Sequence, residues 1–344
     1  MLSVDETQLS FTLLKTWFGI VFLAILIASF LASPVGVRAE GAEYPQLCAC
    51  GPLTTAIIPI AFSDQQPNLT FTSLTKIFNS LNTTFYEESY HKAWLTGGVQ
   101  HWTTLGKSMA SYGPLLTDPS WSTASNPAYG TLLLDARRAT GWQYAGRNVY
   151  QIYVFSGNIR PLANTANRYA LIGQTKNVRT FLFEYGLMLG LPYMSEGRSP
   201  DPTHGKDIMG SPTNLAEFSA FNRIRLGWIT GGMIYKVDAN AMPATPITLV
   251  ALDGTGTINA TGSPTTRVIQ VVWGAAYQYV LVEKRGSNVY VSFINIYKIG
   301  SINYSPSQLT VGKPYLSQNH HFSITLQQAT PSSPSMIIIS QPAQ

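Results

Sequence analysis

The chain has 344 residues, of which 45% are hydrophobic and only 11% carry a charge, and its formal net charge is +5. Its lysines and arginines are scattered without a basic run, whereas a surface that follows nucleic acid phosphates concentrates them on one face. Nucleic acid is therefore not an expected partner. The length and the apolar content are sufficient for a globular protein with two modest hydrophobic cores.

An export signal is predicted over residues 1–39, because Trp17 to Ala32 is a nearly unbroken apolar run. The small residues Val37 and Ala39 fit a signal peptidase site with cleavage before Glu40. The alternative is an uncleaved membrane anchor, although the run is short for a bilayer core that takes about 20 helical residues. The mature chain is therefore expected to be secreted or held at the cell surface.

The two cysteines, Cys48 and Cys50, are separated by one alanine, which excludes a disulfide scaffold and a cysteine-rich zinc site. A bridge between them would close a strained small ring, and a bridge to a second copy of the chain is the bolder alternative. Four N-x-S/T sequons suit an extracellular protein, and whether they carry glycans is left open. The sequons begin at Asn68, Asn82, Asn259 and Asn303.

The first part of the chain alternates predicted strands and helices. Thr55 to Phe62 is an apolar, β-branched stretch that predicts a buried strand. Ser73 to Phe85 has apolar residues at helical spacing, and Ser73 is available as the N-cap. Lys92 to Val99 and Trp102 to Leu105 are interpreted as two short strands around a Gly-Gly turn.

A loop rich in Pro and Ser, from Pro114 to Pro127, leads into the second half of this region. Tyr129 to Thr140 has helical character, and Val149 to Phe155 is dense in β-branched and aromatic residues, as a core strand is. Tyr169 to Ile172 is a candidate edge strand, and a further helix is predicted to begin near Asn177. This alternation predicts an α/β layer.

Beyond Trp228 the pattern changes to short strands separated by Gly, Pro, Asn and Ser, which is typical of a β-sandwich. The predicted strands are Ile247 to Leu252, Thr266 to Trp273, Tyr277 to Glu283, Val289 to Lys298 and His321 to Gln327. The predicted fold class is α+β, with an α/β domain at residues 40–235 and an antiparallel β-sandwich domain at residues 236–330. Residues 331–344 are predicted to form a flexible tail.

The segment at residues 183–193 has the frame of the extended zinc motif H-E-x-x-H-x-x-G-x-x-H. In that motif two histidines share a helical face, a Glu activates the metal-bound water, and a Gly lets the chain turn toward a third ligand. Glu184 holds the general-base position and Gly190 the turn position. The ligand positions hold Phe183, Leu187 and Tyr193. Phe and Leu cannot donate an electron pair to zinc, and a Tyr phenol alone is a poor substitute.

Downstream, His204 to Gly210 has the form of a metzincin Met-turn, in which a methionine side chain forms the floor beneath the metal. Met209 occupies that position. Phe221 to Trp228 resembles the helix that follows this turn in gametolysin-like and immune-inhibitor-A-like peptidases. The chain is therefore similar to this metzincin family of metallopeptidases, and the resemblance implies a zincin-like fold for the domain at residues 40–235.

Other segments in the same order extend the resemblance over most of residues 55–300. Ile58 to Asp64 looks like the first strand of the family, and Tyr279 to Arg285 looks like a strand of its C-terminal β domain. Phe85 to Tyr90 looks like a segment that usually continues with Gly, where this chain has His91. The resemblance implies a pseudopeptidase: zinc is expected for the family, but no metal or other cofactor is expected here.

The motif helix has a second interpretation, in which apolar residues at helical spacing form a core helix with Gly190 as its C-cap. Both interpretations can hold, because a metal face that loses its ligands has to be refilled with apolar volume. Glu184 then needs solvent or a partner, and the candidate partners are His204, Lys206 and Arg223.

Three functions are compatible with the sequence. The first is a non-catalytic pseudopeptidase, secreted or held at the cell surface, that binds a peptide or protein in the former cleft. The second is an active secreted peptidase with an unrecognised site. The third is a structural protein of the surface or cell envelope, whose β domain mediates assembly. The oligomeric state is left open.

Overall fold

A computed structural model gives the fold, and it describes residues 47–113, 127–141, 144, 148–194, 207–210, 217–243, 245–252, 266–272, 278–298, 301–317, 322–328 and 334–341. Several predictions fall outside these ranges, namely the export signal, most of the loop from Pro114, the candidate partners His204 and Lys206, and the sequon at Asn259. Within the described ranges, no helix combines the length and apolar composition that crossing a bilayer takes.

The first region is a mixed sheet with helices. Its strands are β1 (Gly51–Ala61), β2 (Ala93–Val99), β3 (Thr103–Thr104), β4 (Tyr150–Phe155), β5 (Leu162–Asn164) and β6 (Tyr169–Gly173). Its helices are α1 (Phe71–Glu88), a 3₁₀ turn (Met109–Tyr112), α2 (Pro127–Ala139) and α3 (Val178–Met188). The strand order is β2-β1-β4-β6-β5, with β3 also paired to β1, and every pair is parallel except β5 with β6.

Strand β1 is buried on both faces, as strands in parallel sheets are. Ile57 packs in a cluster with residues of α1 and α3, whereas Ile58 and Ile60 pack in a separate cluster with residues of α2. Successive side chains of a strand point to opposite faces, so the apolar run serves two hydrophobic layers at once. The prediction of a buried strand here is confirmed.

The N-cap of helix α1 lies three residues earlier than the sequence predicts. Thr70 is the N-cap, and its side chain accepts a hydrogen bond from the Ser73 N–H at 3.1 Å. The prediction of Ser73 as the N-cap is therefore wrong. A helix N-cap accepts from the N–H two or three residues ahead of it, and Ser73 is that donor.

The predicted Gly-Gly turn is also wrong, because Gly97 and Gly98 lie inside β2. At Gly97 φ is +102°, and a Cβ built there would lie 2.3 Å from the Thr55 carbonyl oxygen of the neighbouring strand. The glycine thus permits a close approach of two backbones. Strands β2 and β3 both run parallel to β1, so they cannot form a hairpin with each other.

The edge of this sheet differs from the prediction as well. Strand β6 matches the predicted strand at Tyr169, but it lies between β4 and β5. The edge is formed by β5, which pairs antiparallel with β6 over Leu162–Asn164. A strand of three residues carries almost no periodicity, so the sequence pattern does not reveal it.

The second region is built from short strands that follow helix α4 (Ala220–Arg225) and a 3₁₀ turn (Gly231–Met233). The strands are β7 (Ile234–Asp238), β8 (Ile247–Leu249), β9 (Val268–Val272), β10 (Gln278–Arg285), β11 (Asn288–Lys298), β12 (Ser301–Gln308), β13 (Pro314–Leu316), β14 (Ser323–Gln328) and β15 (Ser335–Ser340). Five of them, β8, β9, β10, β11 and β14, are predicted by the sequence pattern, and the other four are not.

These strands form two sheets, with the orders β12-β11-β10-β9-β7 and β13-β14-β15-β8. The pairs are antiparallel except β7 with β9. Ile269 and Val282 of the first sheet share one apolar cluster with Ile324 and Ile337 of the second. The two sheets therefore bury a common core.

The predicted flexible tail is wrong where the structure describes it. Strand β15 covers Ser335–Ser340, and it lies between β14 and β8 in the second sheet. Ile337 and Ile339 are buried in the cluster that both sheets share. The prediction misses this strand because Pro and Ser residues precede it. Within the strand, every second side chain is buried.

The two regions also share a core, and residues 43–344 form one compact unit. The cluster that contains Phe181 and Trp228 continues into the second region at Val268, Leu281 and Ile294. A domain boundary after residue 235 stays a prediction.

Candidate functional site

Helix α3 carries the motif, and local interactions define both of its ends. The Asn177 side chain accepts a hydrogen bond from the Arg179 N–H at 3.1 Å and so caps the start. At the other end the Leu191 N–H donates to the Gly186 carbonyl, and the Gly190 N–H donates to the Leu187 carbonyl, both at 2.9 Å. Gly190 has φ of +87°. This pair of bonds is a Schellman motif, which turns the chain sharply after the helix.

Two of the three ligand positions of the motif are in direct contact. The rings of Phe183 and Tyr193 meet edge to face, with centroids 5.7 Å apart and an interplanar angle of 84°. Phe183 is 8% exposed, Tyr193 is 42% exposed, and Leu187 is partly buried against the same core. These side chains do not fit zinc, because two are hydrocarbons and the third has a single phenol oxygen.

Met209 lies directly against helix α3. Its side chain is fully buried, and a Cβ built on Gly186 would lie 2.4 Å from its Sδ. Its carbonyl accepts a hydrogen bond from the Met194 N–H at 3.0 Å, which ties the turn to the chain just after Tyr193. The fold thus brings Met209 together with the helix that carries Phe183.

Asp207 holds the turn that contains Met209, although the sequence pattern does not single it out. One carboxylate oxygen accepts from the Met209 N–H at 2.7 Å, and the other accepts from the Ser219 N–H at 3.1 Å. The Asn222 side-chain amide donates to both oxygens, at 3.1 and 2.9 Å. Burial raises the pKa of Asp207, while Arg285 and the hydrogen bonds from Ser219 and Met209 oppose the rise. An Asp two residues before a turn methionine is the signal that could have indicated this role.

Glu184 is buried, with 4% of its surface exposed. Its Oε2 atom has no hydrogen-bond partner among the described residues, and burial raises the pKa of the carboxyl to about 8. Burial raises the pKa of the Tyr129 phenol, and the nearby Glu184 carboxyl adds to the rise. The Tyr129 OH donates to the Arg160 carbonyl at 2.8 Å. Most Glu184 side chains are therefore protonated at neutral pH.

Arg223 is fully buried and is paired with two carboxylates. Its Nη2 lies 3.2 Å from Glu88 Oε2 and 2.9 Å from Glu217 Oε2. Its other donors bind the carbonyl of Phe218, 2.8 Å from Nε, and the carbonyl of Leu252, 3.1 Å from Nη1. The interpretation that makes Arg223 the partner of the motif glutamate is therefore wrong.

Further charged groups join helix α4 to strand β10. One carboxylate oxygen of Glu283 accepts from the Ala220 N–H at the start of α4, and the other pairs with Arg285. A carboxylate at a helix start complements the positive end of the helix dipole. We call Asp207, Arg223, Glu283 and Arg285 the polar seam. Strand β10 thus holds the start of helix α4 through Glu283.

Over the ranges that the structure describes, no group of three or more His, Cys, Asp or Glu side chains could hold a metal ion. No known protein family matches the sequence. No curated protein matches it either.

Two solved structures are similar to parts of the chain. A zinc-dependent peptidase from Methanocorpusculum labreanum matches 49% of this chain and 99% of its own, with 12% sequence identity and a TM-score of 0.28. Catalytically inactive OgpA from Akkermansia muciniphila, solved with an O-glycopeptide substrate, matches 79% of this chain and 96% of its own, with 10% identity and a TM-score of 0.31. The chain thus has a distant structural similarity to peptidases.

Proposed function

We propose that the chain is a zincin-like peptidase homologue of the metzincin type that has lost its zinc ligands and binds a peptide or protein without cleaving it. The contact between Phe183 and Tyr193 carries this proposal. In a zinc site these two positions would direct imidazoles toward the metal, whereas here two aromatic rings pack on each other. Met209 lies against the same helix, as the floor of such a site would.

The edge of the first sheet supports a route for binding an extended peptide. Among the strands that the structure describes, β5 has a sheet neighbour on one side, and its other backbone edge can pair with an added strand. Helix α3 packs against β5, and the Thr165 hydroxyl donates to the Leu187 carbonyl at 2.7 Å. A peptide beside β5 would therefore run along the helix that carries the motif. The exposed Tyr193 ring supplies an apolar contact for its side chains.

This proposal requires no cofactor and includes an extracellular location. The predicted signal over residues 1–39 supports secretion, and a surface or envelope partner would be met there. N-terminal sequencing of the exported protein is expected to begin at Glu40. Recovery of Met1 in a membrane fraction that only detergent releases would show that the segment is an anchor.

The first experiment asks whether the helix descends from a zinc site. The triple variant Phe183→His, Leu187→His, Tyr193→His places an imidazole at each ligand position, and we expect it to take up one zinc per chain. Loss of buried apolar side chains is expected to cost a few kcal/mol without metal, and zinc should recover part of this. Native mass spectrometry gives the stoichiometry.

The single variant Tyr193→His is the matched control, because one imidazole does not hold zinc against competing buffer. A triple variant that folds and takes up no more zinc than this control would remove the basis of the proposed ancestry.

The second experiment tests peptide binding with an array of overlapping peptides that cover a casein sequence. We expect Tyr193→Ala to lose most of the bound spots, because the change removes the exposed ring beside α3. Tyr235→Ala is the matched control, since Tyr235 is 43% exposed and lies on β7. Equal binding by the two variants would contradict binding at this site. Cleaved casein peptides would instead favour the active-peptidase alternative.

A further inference from the structure

The segment Leu47–Cys50 is held at its backbone and exposes both of its cysteines. The Leu47 N–H donates to the Arg225 carbonyl at 2.7 Å, and the Ala49 N–H donates to the Leu226 carbonyl at 3.0 Å. Ala49 is buried in the core, whereas Cys48 and Cys50 are free and exposed. The alanine is thus buried, while the cysteines on either side of it are open to solvent.

The spacing of the two cysteines is within the reach of a disulfide. Two residues of extended chain span about 6.6 Å, and the Cα atoms of a disulfide lie about 4.4–6.8 Å apart. Cys48 departs from the extended conformation, with φ of +44°. The backbone separation of the two residues is therefore compatible with a bridge between them.

We propose that Cys48 and Cys50 form a redox dithiol that low-molecular-weight disulfides, such as oxidised glutathione, convert to an intramolecular disulfide. In the first step the Cys48 thiolate attacks one sulfur of the small disulfide, which breaks its S–S bond and releases one small thiol. In the second step the Cys50 thiolate attacks the Cys48 sulfur and releases the other. Two protein thiols are oxidised and one small disulfide is reduced to two thiols, which take up the two protons.

The order of these steps follows from the surroundings of each sulfur. Cys50 Sγ lies 3.9 Å from the carbonyl oxygens of Leu226 and Gly227, which can accept its proton in a weak hydrogen bond. Burial and the neighbouring Cys48 raise the pKa of Cys50, and Lys92 opposes this rise. The second attack is therefore assigned to Cys50, which reacts once the mixed disulfide is beside it. The small ring that forms is strained, so reduction is easy and the disulfide is labile.

The test uses the full chain equilibrated in mixtures of reduced and oxidised glutathione, quenched with acid and alkylated with iodoacetamide. Intact mass spectrometry is expected to show both thiols lost to alkylation together, with a mass lower by two hydrogen atoms and no bound glutathione. Excess reduced glutathione should restore both. The variants Cys48→Ser and Cys50→Ser are expected to retain one glutathione each, because neither has a second thiol to release it.

Three results would overturn the proposal. The wild-type chain could keep glutathione as a stable mixed disulfide at the levels seen in the single variants. It could remain fully alkylated at every glutathione ratio. It could also migrate as a disulfide-linked dimer on a non-reducing gel, which would assign the cysteines to a contact between copies instead.

Discussion

Two buried carboxyl groups of the candidate site have opposite surroundings. Asp207, in the polar seam, accepts hydrogen bonds from two backbone N–H groups and from the Asn222 amide. Glu184, on helix α3, has no partner for Oε2 among the described residues. Burial raises the pKa of both, but only at Asp207 do a cation and hydrogen bonds oppose the rise.

Asp207 is a carboxylate that stabilises the fold, whereas Glu184 is a carboxyl whose burial destabilises it. Asp207 connects the turn at Met209 to helix α4, and its lost hydration is replaced by protein donors. Glu184 loses hydration without such replacement, so the protonated form is favoured. The hydrogen bonds of Asp207 therefore explain why it is buried. The burial of Glu184 has no such structural explanation, and function or ancestry has to account for it.

The largest expected effect concerns Arg223, whose removal leaves two carboxylates and two carbonyls without their donor. We expect Arg223→Met to lower the free energy of unfolding by about 3–5 kcal/mol. Arg138→Met is the matched control, because Arg138 is largely exposed and lies 3.7 Å from Asp135, and its loss should cost less than about 1 kcal/mol. Urea unfolding measures both. Equal losses would mean that the seam does not hold the two regions together.

The same isosteric change at the two carboxyl groups should have opposite signs. Asp207→Asn turns an amide N–H toward existing donors, so we expect a loss of about 2–4 kcal/mol at neutral pH. Glu184 has a folded pKa of about 8, above its unfolded value of 4.5, so its contribution is complete below pH 4.5 and is lost as the pH rises to 8. Relative to pH 4.5, Glu184→Gln should therefore stabilise the protein by about 3 kcal/mol at neutral pH.

Urea unfolding at several pH values gives this comparison directly. If the free-energy difference between Glu184→Gln and wild type stayed constant across this range, Glu184 would have a partner that the described residues do not include.

Contact between helix α3 and the Met209 turn predicts a smaller effect at Gly186. We expect Gly186→Ala to cost about 1–3 kcal/mol, because the added methyl group meets Met209 Sδ in a packed core. Gly130→Ala in α2 is the matched control, since nothing lies within 4 Å of its Cβ position. That change should stabilise the protein by up to about 1 kcal/mol through helix propensity. In a Met209→Ala background the cost at Gly186 should shrink, which a double-mutant cycle measures.

The smallest expected effect is that of a chelator. With Phe and Leu at two ligand positions, we expect strong chelators to leave the melting temperature unchanged, because no metal-binding free energy contributes to folding. Differential scanning calorimetry with and without chelator checks this. A fall in melting temperature that zinc alone reverses would indicate a metal site elsewhere in the chain.

Features with a local cause are predictable from the sequence. Strand β1 and helix α3 follow from their own apolar patterns, and the sequence indicates Asn177 as the start of α3. The change at Gly190 from helix to turn is also visible, because glycine tolerates the left-handed conformation that ends a helix.

Features that depend on distant partners are not predictable in this way. A glycine is required at position 97 because the Thr55 carbonyl of the neighbouring strand approaches it closely. Thr55 is remote in sequence, so the Gly-Gly pair on its own suggests a turn. Arg223 pairs with Glu88, which is remote in sequence. The sequence alone does not indicate that Glu88, rather than Glu184, is the partner of Arg223. The role of Asp207 is not predictable either, because it depends on donors at Ser219 and Asn222 that only the fold brings near.

The position of β15 has a consequence for the order in which the chain is synthesised. In the described part of its sheet, β8 pairs with β15 and with no other strand. A growing chain therefore holds β8 without a strand partner until Ser335–Ser340 has emerged, although Ile247 and Leu249 belong to the apolar cluster that both sheets share. Pairing between such distant segments is slow to form, so the second sheet completes late. Chains released before Ser335 should be degraded rapidly, because they leave β14 and β8 with exposed edges.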